Sequence, residues 1–467
     1  MVKDEVNTIC AVSTPQGVGG IAVVRVSGPE ALAVTGRVWK GKKLADVETH
    51  TAHLGTVMQA DGTVLDQAVA TVFRGPNSYT GEDVVELSVH GSVYVQRALV
   101  ETLIAAGARL AEPGEFTKRA FTNGRIDLVQ AEGIADMIAS RTKGSHRLAM
   151  SQLRGGISKK IVVLREQLIN LASLLELELD FSEEDVEFAD RERLVTTAED
   201  ILQEIERLRD SYAAGTAIKD GIPTSIIGET NAGKSSLLNA LVGDDKAIVS
   251  HVHGTTRDVI EDVLPIGDHM LRLMDTAGLR ETEDYVEKIG IERTLDSMKR
   301  ARILIWVVDA TERVGDATVA TVCKSLSDNE GAALIVALNK TDVANAGHLA
   351  GLRERLENSL PKAMHFIEIS ALTGEGVGEL KHVLTTVAQE IVGDTGDMII
   401  ANMRQQQALA TAAESATDTL AGLRANLPCD LIAQHLRRTI DALSTLTGQI
   451  TSATILQTIF SRYCIGK

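Results

Sequence analysis

Cysteine is scarce and scattered in this chain: Cys10, Cys323, Cys429 and Cys464 form no C-x-x-C pair. That spacing offers neither a zinc site nor a disulfide framework. No apolar run approaches the roughly 18 residues that a bilayer-spanning helix requires. The start, Met1-Val2-Lys3-Asp4-Glu5, lacks the basic cluster and apolar stretch of a secretory signal. These absences predict a cytoplasmic protein with no membrane segment. Positive charge is in deficit too: 47 Lys and Arg stand against 64 Asp and Glu, a net charge of −17. Phosphate neutralisation supplies most sequence-independent affinity for nucleic acid, so the surface as a whole is not built to grip it tightly. One basic stretch survives: Arg141, Lys143, His146, Arg147, Arg154, Lys159, Lys160 and Arg165. It reads either as a solvated helix face or as a local contact for nucleic acid. Internal repeats and low-complexity segments are absent as well.

What is present begins with size. A chain of 467 residues holds about three domains of roughly 150 residues each, and its 44% hydrophobic content suffices for buried cores. Its most specific stretch is Gly228-Glu229-Thr230-Asn231-Ala232-Gly233-Lys234-Ser235. This is a G-x-x-x-x-G-K-[ST] loop, whose backbone N–H groups cradle phosphates while the lysine reaches the terminal ones and the serine hydroxyl ligates Mg²⁺. Downstream, in working order, come Thr255-Thr256, Asp275-Thr276-Ala277-Gly278, Asn339-Lys340-Thr341-Asp342 and Ser370-Ala371-Leu372. The carboxylate of Asp342 can accept from the ring N–H and amino group of guanine, an edge that adenine does not present. A lone loop of this kind is a weak signal; five elements in order make a GTP site.

The surroundings agree. Ile222 to Ile227, Met270 to Met274, Ile303 to Val308 and Ala333 to Leu338 read as buried strands, and Ser236 to Leu241 as the start of a helix. Each strand ends where a functional residue starts, as in a parallel sheet that binds ligands at its carboxyl edge, with phosphates on a helix N-terminus. One position departs from Ras-like enzymes. Where they carry a water-orienting Gln, this chain has Leu279. The residues alone do not identify the replacement, and Arg257 and Arg280 could be surface residues.

Outside this region, residues 1–122 alternate short β-like runs such as Ile21 to Val26 and Val84 to Val89 with turns, and show helical pattern near Val95 to Ala106: an α+β domain. From about Leu128 to Arg209 long helices take over, with Leu164, Leu168, Leu171 and Leu175 as a core stripe. Ala213-Ala214-Gly215-Thr216 and Val392 to Asp397 mark breaks, and Met398 to Tyr463 is helical again, with Leu409, Ala412, Ala413 and Ala416 on one face. Helices on both sides suggest an inserted nucleotide domain, with two separate helical domains as the alternative. Arg25 and Glu86 sit in strand-like runs, where charged side chains point to solvent. Arg125 reads as a turn residue and Lys467 as a frayed terminus. Cys464 reads as a small buried apolar residue, or as a thiol nucleophile or base whose neighbour Arg462 favours a thiolate.

Asn231 to Ser236, Gly254-Thr255-Thr256-Arg257-Asp258 and Asp275 to Glu281 resemble the G domain of the MnmE (TrmE) family of tRNA modification GTPases. The resemblance extends to Gly75 to Asp83, to Pro113-Gly114-Glu115-Phe116-Thr117 and to the terminal Cys464-Ile465-Gly466-Lys467. It implies a multidomain fold: an N-terminal domain resembling tetrahydrofolate-binding folds (1–122), a helical domain in two parts (123–220 and 391–467), and an inserted Ras-like P-loop domain with a parallel sheet (221–390). It implies GTP contacts from Asn231, Ala232, Gly233, Lys234, Ser235, Ser236, Ser250, Thr255, Thr256, Asp275, Thr276, Ala277, Gly278, Asn339, Lys340, Asp342, Ser370, Ala371 and Leu372. K⁺ would be held by Asn231, Ser250, Val252 and Thr255, and Mg²⁺ by Ser235 and Thr256. Glu287, otherwise an ordinary solvated carboxylate, would position the attacking water. Arg25, Glu86, Arg125 and Lys467 would contact a 5-formyltetrahydrofolate.

The implied protein is a homodimer. It works with an FAD-dependent MnmG-type partner, as a heterotetramer, to modify C5 of the wobble uridine of certain tRNAs using a folate-derived carbon. Two alternatives compete with it: a regulatory switch such as a ribosome-assembly GTPase with RNA-binding flanks, and a folate-dependent one-carbon transferase with a structural nucleotide site.

Overall fold

In the run Ile21–Ser27, Ala22, Val24 and Val26 are buried while Val23 and Arg25 are half-exposed, the period-two pattern of a strand with one covered face. The computed structural model describes residues 7–180, 191–243, 262–274, 296–329, 331–360, 365–393 and 398–450, with Leu456, Ile459, Phe460, Tyr463 and Gly466 beyond them. The chain falls into two units, one of Met1–Ala135, Gln152–Ile201 and Thr411–Lys467, the other of Asp136–Ser151 and Leu202–Ala410.

The first unit carries a seven-stranded sheet. Its elements are β1 (Ile9–Val12), β2 (Ile21–Ser27), α1 (Ala31–Val38), β3 (Trp39–Lys40), β4 (Thr51–Met58), β5 (Val64–Phe73), β6 (Val84–His90), α2 (Val93–Ala105), β7 (Arg109–Leu110) and α3 (Glu115–Thr122). The order is β3-β4-β5-β6-β2-β1-β7, antiparallel except between β1 and β7. Val34 and Val38 of α1 and Leu99 and Leu103 of α2 pack on Val24, Val26, Val85 and Leu87. The α+β expectation for this region agrees with the structure; in β4 and β5 the apolar residues are interrupted by polar ones and by Gly55, so no continuous run announces them.

Helices follow: α4 (Leu128–Ala139), α5 (Lys143–Leu153), α6 (Gly156–Asp180), α7 (Arg191–Asp210) and α8 (Tyr212–Asp220). In α6, Leu164, Leu168, Leu171 and Leu175 are all buried, as their spacing demands. The break placed at Ala213 to Thr216 is overturned, because those residues lie inside α8. The chain turns instead at Ser211 and at Gly221, whose φ is 91°. Small residues sit in this helix for a packing reason: a Cβ on Gly215 would lie 1.9 Å from the Ile400 carbonyl.

The second unit is built on a six-stranded sheet, with β8 (Ile222–Ile227), α9 (Lys234–Val242), β9 (Asp262–Ile266), β10 (His269–Leu273), β11 (Ile303–Asp309), α10 (Asp316–Asp328), β12 (Ala333–Asn339), α11 (Ala346–Ser359), β13 (His365–Glu368) and α12 (Val377–Val392). The order is β13-β12-β11-β8-β10-β9, parallel except that β9 runs against β10. Leu148 of α5 and Ala217 and Ile218 of α8 belong to the same core as Ile222, Leu237 and Leu271. The C-terminal helices are α13 (Met403–Arg424) and α14 (Cys429–Thr447). Leu409, Ala412, Ala413 and Ala416 are buried along α13, and α14 packs on α6.

Candidate functional site

Three loops meet at the carboxyl edge of the second sheet. The first leaves β8 at Gly228, whose φ is 152°. A Cβ there would stand 2.3 Å from the Val307 carbonyl of β11, so only glycine lets the chain turn so close to the neighbouring strand. Asn231 then takes a left-handed φ of 64°, and Gly233, at φ 97°, begins α9. Lys234 lies in the first turn. Its ammonium donates back across the loop to the carbonyls of Gly228 (2.9 Å) and Glu229 (2.8 Å), and burial lowers its pKa. The loop is braced by Glu229, whose carboxylate accepts from the Thr318 hydroxyl at 3.0 Å. Exposed backbone N–H groups at a helix N-terminus beside an ammonium suit an anion such as a phosphate. The Ser235 hydroxyl, an oxygen donor in the same turn, suits a hard cation such as Mg²⁺.

Asn339 joins this loop to the other two. It ends β12, is 2% exposed, and its amide donates to the Ala232 carbonyl at 2.8 Å. Its side-chain oxygen accepts from the Ala371 N–H at 2.9 Å. Ser370, fully buried, closes its own turn by donating to the Glu375 carbonyl and accepting from the Gly374 N–H. That turn holds Ala371 and exposed Leu372 beside the edge, and Asp342 is exposed two residues past Lys340. Thus Asn231, Ala232, Gly233, Lys234, Ser235 and Ser236 stand at the same sheet edge as Asn339, Lys340, Asp342, Ser370, Ala371 and Leu372. Ser250, Val252, Thr255, Thr256, Asp275, Thr276, Ala277, Gly278, Leu279, Glu287, Cys464 and Lys467 lie outside the described residues.

Sequence reasoning missed Asp309, the last residue of β11. Its carboxylate meets Lys340 Nζ at 2.5 Å. Burial raises its pKa, but the hydrogen bonds from Lys340 and Thr311 outweigh that and hold it below the usual carboxylate value. The available signal was an acid closing a strand whose other six residues are all buried.

In the first unit the expectation that Arg25 and Glu86 point to solvent is overturned. They are register partners on β2 and β6. They form an ion pair of 2.8 Å with side chains only 17% and 25% exposed. The reason is a second cover on the sheet. Tyr79, from the loop at Gly75 to Asp83, and Phe116, in the first turn of α3, lie with ring centres 4.8 and 5.5 Å from the Arg25 guanidinium. Tyr79 is fixed by a 2.8 Å hydrogen bond between its hydroxyl and that of Thr117. Glu82 anchors the Tyr79 loop to α3 by accepting from Arg119 at 3.0 Å. Arg125 is exposed and lines a groove of about 450 Å³ with His50, Phe73, Asn77, Ser78 and Tyr79. Gly466 docks against the end of β1, where its carbonyl accepts from the Ser13 hydroxyl at 3.0 Å. A Cβ on it would meet the Val12 carbonyl at 2.0 Å. Val12 pairs with Val24, so Gly466 lies at the end of the strand next to β2, which carries Arg25. A cation and a carboxylate beside aromatic rings suit a ligand with a ring and charged groups.

Of the basic stretch, Arg141, Lys143, His146, Arg147, Arg154 and Lys159 are exposed, and Lys143 stands 3.7 Å from Asp268. No helix among the described residues is long and apolar enough to cross a membrane.

Comparison with known proteins gives matches to two family models: the MnmE helical domain over residues 128–464 and the GTP-binding protein TrmE N-terminus over 8–125. A tRNA modification GTPase MnmE of Parabacteroides distasonis is 45% identical over 469 residues, covering 99% of this chain and all of that one. Its counterpart in Porphyromonas gingivalis is 46% identical over 467 residues, covering 99% and 98%. That of Bacteroides fragilis is 44% identical over 465, covering 99% of each.

Proposed function

Since this chain belongs to the MnmE family of tRNA modification GTPases, and is thus a GTP hydrolase acting in tRNA modification, we propose that it is a K⁺-dependent one that serves the wobble uridine. The observation that carries the nucleotide half is the double tie of Asn339 to Ala232 and Ala371, which holds the phosphate loop and the base loop in one geometry. The reaction is GTP + water → GDP + phosphate. Lys234 meets the terminal phosphates, Ser235 and Thr256 present hydroxyls to Mg²⁺, and Asp275 to Gly278 face the γ-phosphate. Asn231, in its left-handed turn at the loop's tip, holds K⁺ together with Ser250, Val252 and Thr255. A cation there supplies the positive charge that an arginine finger supplies elsewhere. Hydrolysis by purified protein in K⁺ is expected to exceed that in equimolar Na⁺ by at least about tenfold, because the smaller ion cannot satisfy the same oxygens. Equal rates in both salts would remove the ion from the mechanism.

Glu287 orients the attacking water in place of the Gln that Leu279 replaces. Glu287→Ala is expected to cut turnover by roughly a hundredfold, the scale of one general acid–base or positioning group. GTP affinity, read by equilibrium titration, stays within about twofold because binding and chemistry use different groups. Equal loss of both would argue against the role.

The N-terminal domain (1–122) holds 5-formyltetrahydrofolate and forms the homodimer. Arg25, Glu86, Arg125 and Lys467 contact the folate, with the paired Arg25 and Glu86 meeting the pterin ring together and Arg125 and Lys467 left for the carboxylates. The Arg25–Glu86 pair under the Tyr79 ring and the docking of Gly466 at β1 support this reading. Removing Ile465-Gly466-Lys467 is expected to weaken folate binding by at least about tenfold, the worth of one charge-assisted contact; unchanged affinity in calorimetry would exclude Lys467. An FAD-dependent MnmG-type partner completes the modification at C5 in the cytoplasm. Mass spectrometry of wobble uridines tests this whole: cells lacking the chain lose the C5 substituent, and wild type restores it while Asp275→Ala does not.

A further inference from the structure

No motif in the chain uses Asp309, yet its carboxylate is only 10% exposed and engaged on both sides. One oxygen accepts from the Thr311 N–H at 2.9 Å and from the Thr311 hydroxyl at 2.6 Å. The other faces the Lys340 ammonium at 2.5 Å. Lys340 sits one residue past Asn339, and β11 and β12 pair in parallel with Asp309 opposite Asn339. The lysine stem therefore reaches from the end of one strand to the end of its neighbour. Lys340 also has a φ of 68°, a left-handed conformation that side-chain-bearing residues seldom adopt. Such conformations persist where the surroundings fix them, and they cluster at ligand sites. Here the surroundings are the ion pair and the Ala310 N–H, which donates to the Asn339 carbonyl at 2.8 Å.

We infer that Asp309 is a positioning residue for base recognition: by pinning the Lys340 ammonium, it lays that side chain's methylene stem as a floor beneath the guanine whose edge Asp342 reads. The inference rests on the guanine-nucleotide reading above. A lysine stem covers apolar surface well when its charged head is satisfied elsewhere, and a planar base is mostly apolar on its faces. An unpinned lysine would have to give up its rotamer freedom when the nucleotide arrives, a cost that preorganisation removes. Thr311 belongs to the same device, since it keeps the carboxylate turned toward Lys340. Asp309 thus acts through Lys340: its carboxylate bonds to Thr311 and Lys340 and not to the phosphate loop beside it.

Calorimetric titration of the full chain with GTP, and separately with inorganic triphosphate, separates the two parts of the site. Asp309→Asn keeps an acceptor for Thr311 and loses the charge that holds Lys340. Its GTP affinity is expected to fall about tenfold, the scale of one charge-assisted hydrogen bond, while triphosphate affinity stays within about twofold. Hydrolysis follows suit, with KM rising and kcat unchanged. Thr311→Val, which leaves the carboxylate in place, is expected to weaken GTP by about threefold, as loss of one neutral hydrogen bond does, again without effect on triphosphate. Equal losses on both ligands, or full GTP affinity in both variants, would overturn the inference. A wild-type chain that bound GTP no better than triphosphate would overturn the guanine reading itself.

Discussion

Gly233→Ala abolishes measurable GTP binding while leaving the protein folded. The new Cβ would stand 2.1 Å from the Asn339 amide nitrogen, too close for any packing, at a φ of 97° that alanine rarely adopts. Backbone strain of this kind costs about 1–3 kcal/mol, and relief comes only by moving Asn339. That residue cannot move without releasing both the Ala232 carbonyl and the Ala371 N–H. Phosphate loop and base loop are then lost together, and affinity falls by at least about a hundredfold, since each ~1.4 kcal/mol is a factor of ten. The β8, β11 and β12 core below is untouched by the change. Thermal unfolding checks both halves. The ligand-free variant still unfolds in one cooperative transition, lowered by roughly 5 °C by the strain, whereas the upward shift that saturating GTP gives wild type disappears. A normal GTP-induced shift would show that the loops are not coupled through Asn339.

Asp342→Asn has the second large effect, on which base is accepted. A carboxylate accepts from both the ring N–H and the amino group of guanine, and charge-assisted bonds of this kind are worth about 1.5–3 kcal/mol each. An amide offers one acceptor and one donor, so its N–H group meets the guanine amino group head-on. GTP affinity is expected to fall by at least about a hundredfold. Xanthine carries a carbonyl where guanine carries that amino group, and the amide N–H can donate to it. Competition binding should therefore show xanthosine triphosphate overtaking GTP in the variant alone. An unchanged order of preference would mean that another group reads the base.

Much of the nucleotide site was legible because its constraints are local. Gly228, Gly233 and Lys234 lie within seven residues, and the apolar run Ile222 to Ile227 coincides with β8. The strands ending at Asp309 and Asn339 were visible as apolar runs, since both are covered on each face. Short strands with few apolar residues, such as β13, left no such trace. The Arg25–Glu86 pair was hidden for a different reason. Period two assigns Arg25 to the face opposite Val24, but nothing in the pattern says that Tyr79 and Phe116 cover that face. The apparent break at Ala213 to Thr216 misled because small residues signal loops and close helix packing alike, and only Ile400 decides between them. Lys340 and Asp309 are distant in sequence, and their pairing follows from strand order, which periodicity does not encode.

Every role proposed for this site requires that the carboxyl edge of the six-stranded sheet select guanine nucleotides. Parallel equilibrium titrations of the purified full-length chain with GDP and ADP test it most directly. GDP is expected to bind more strongly than ADP by at least about a hundredfold, because adenine leaves the Asp342 carboxylate without its two donors. Equal affinity for the two would contradict it.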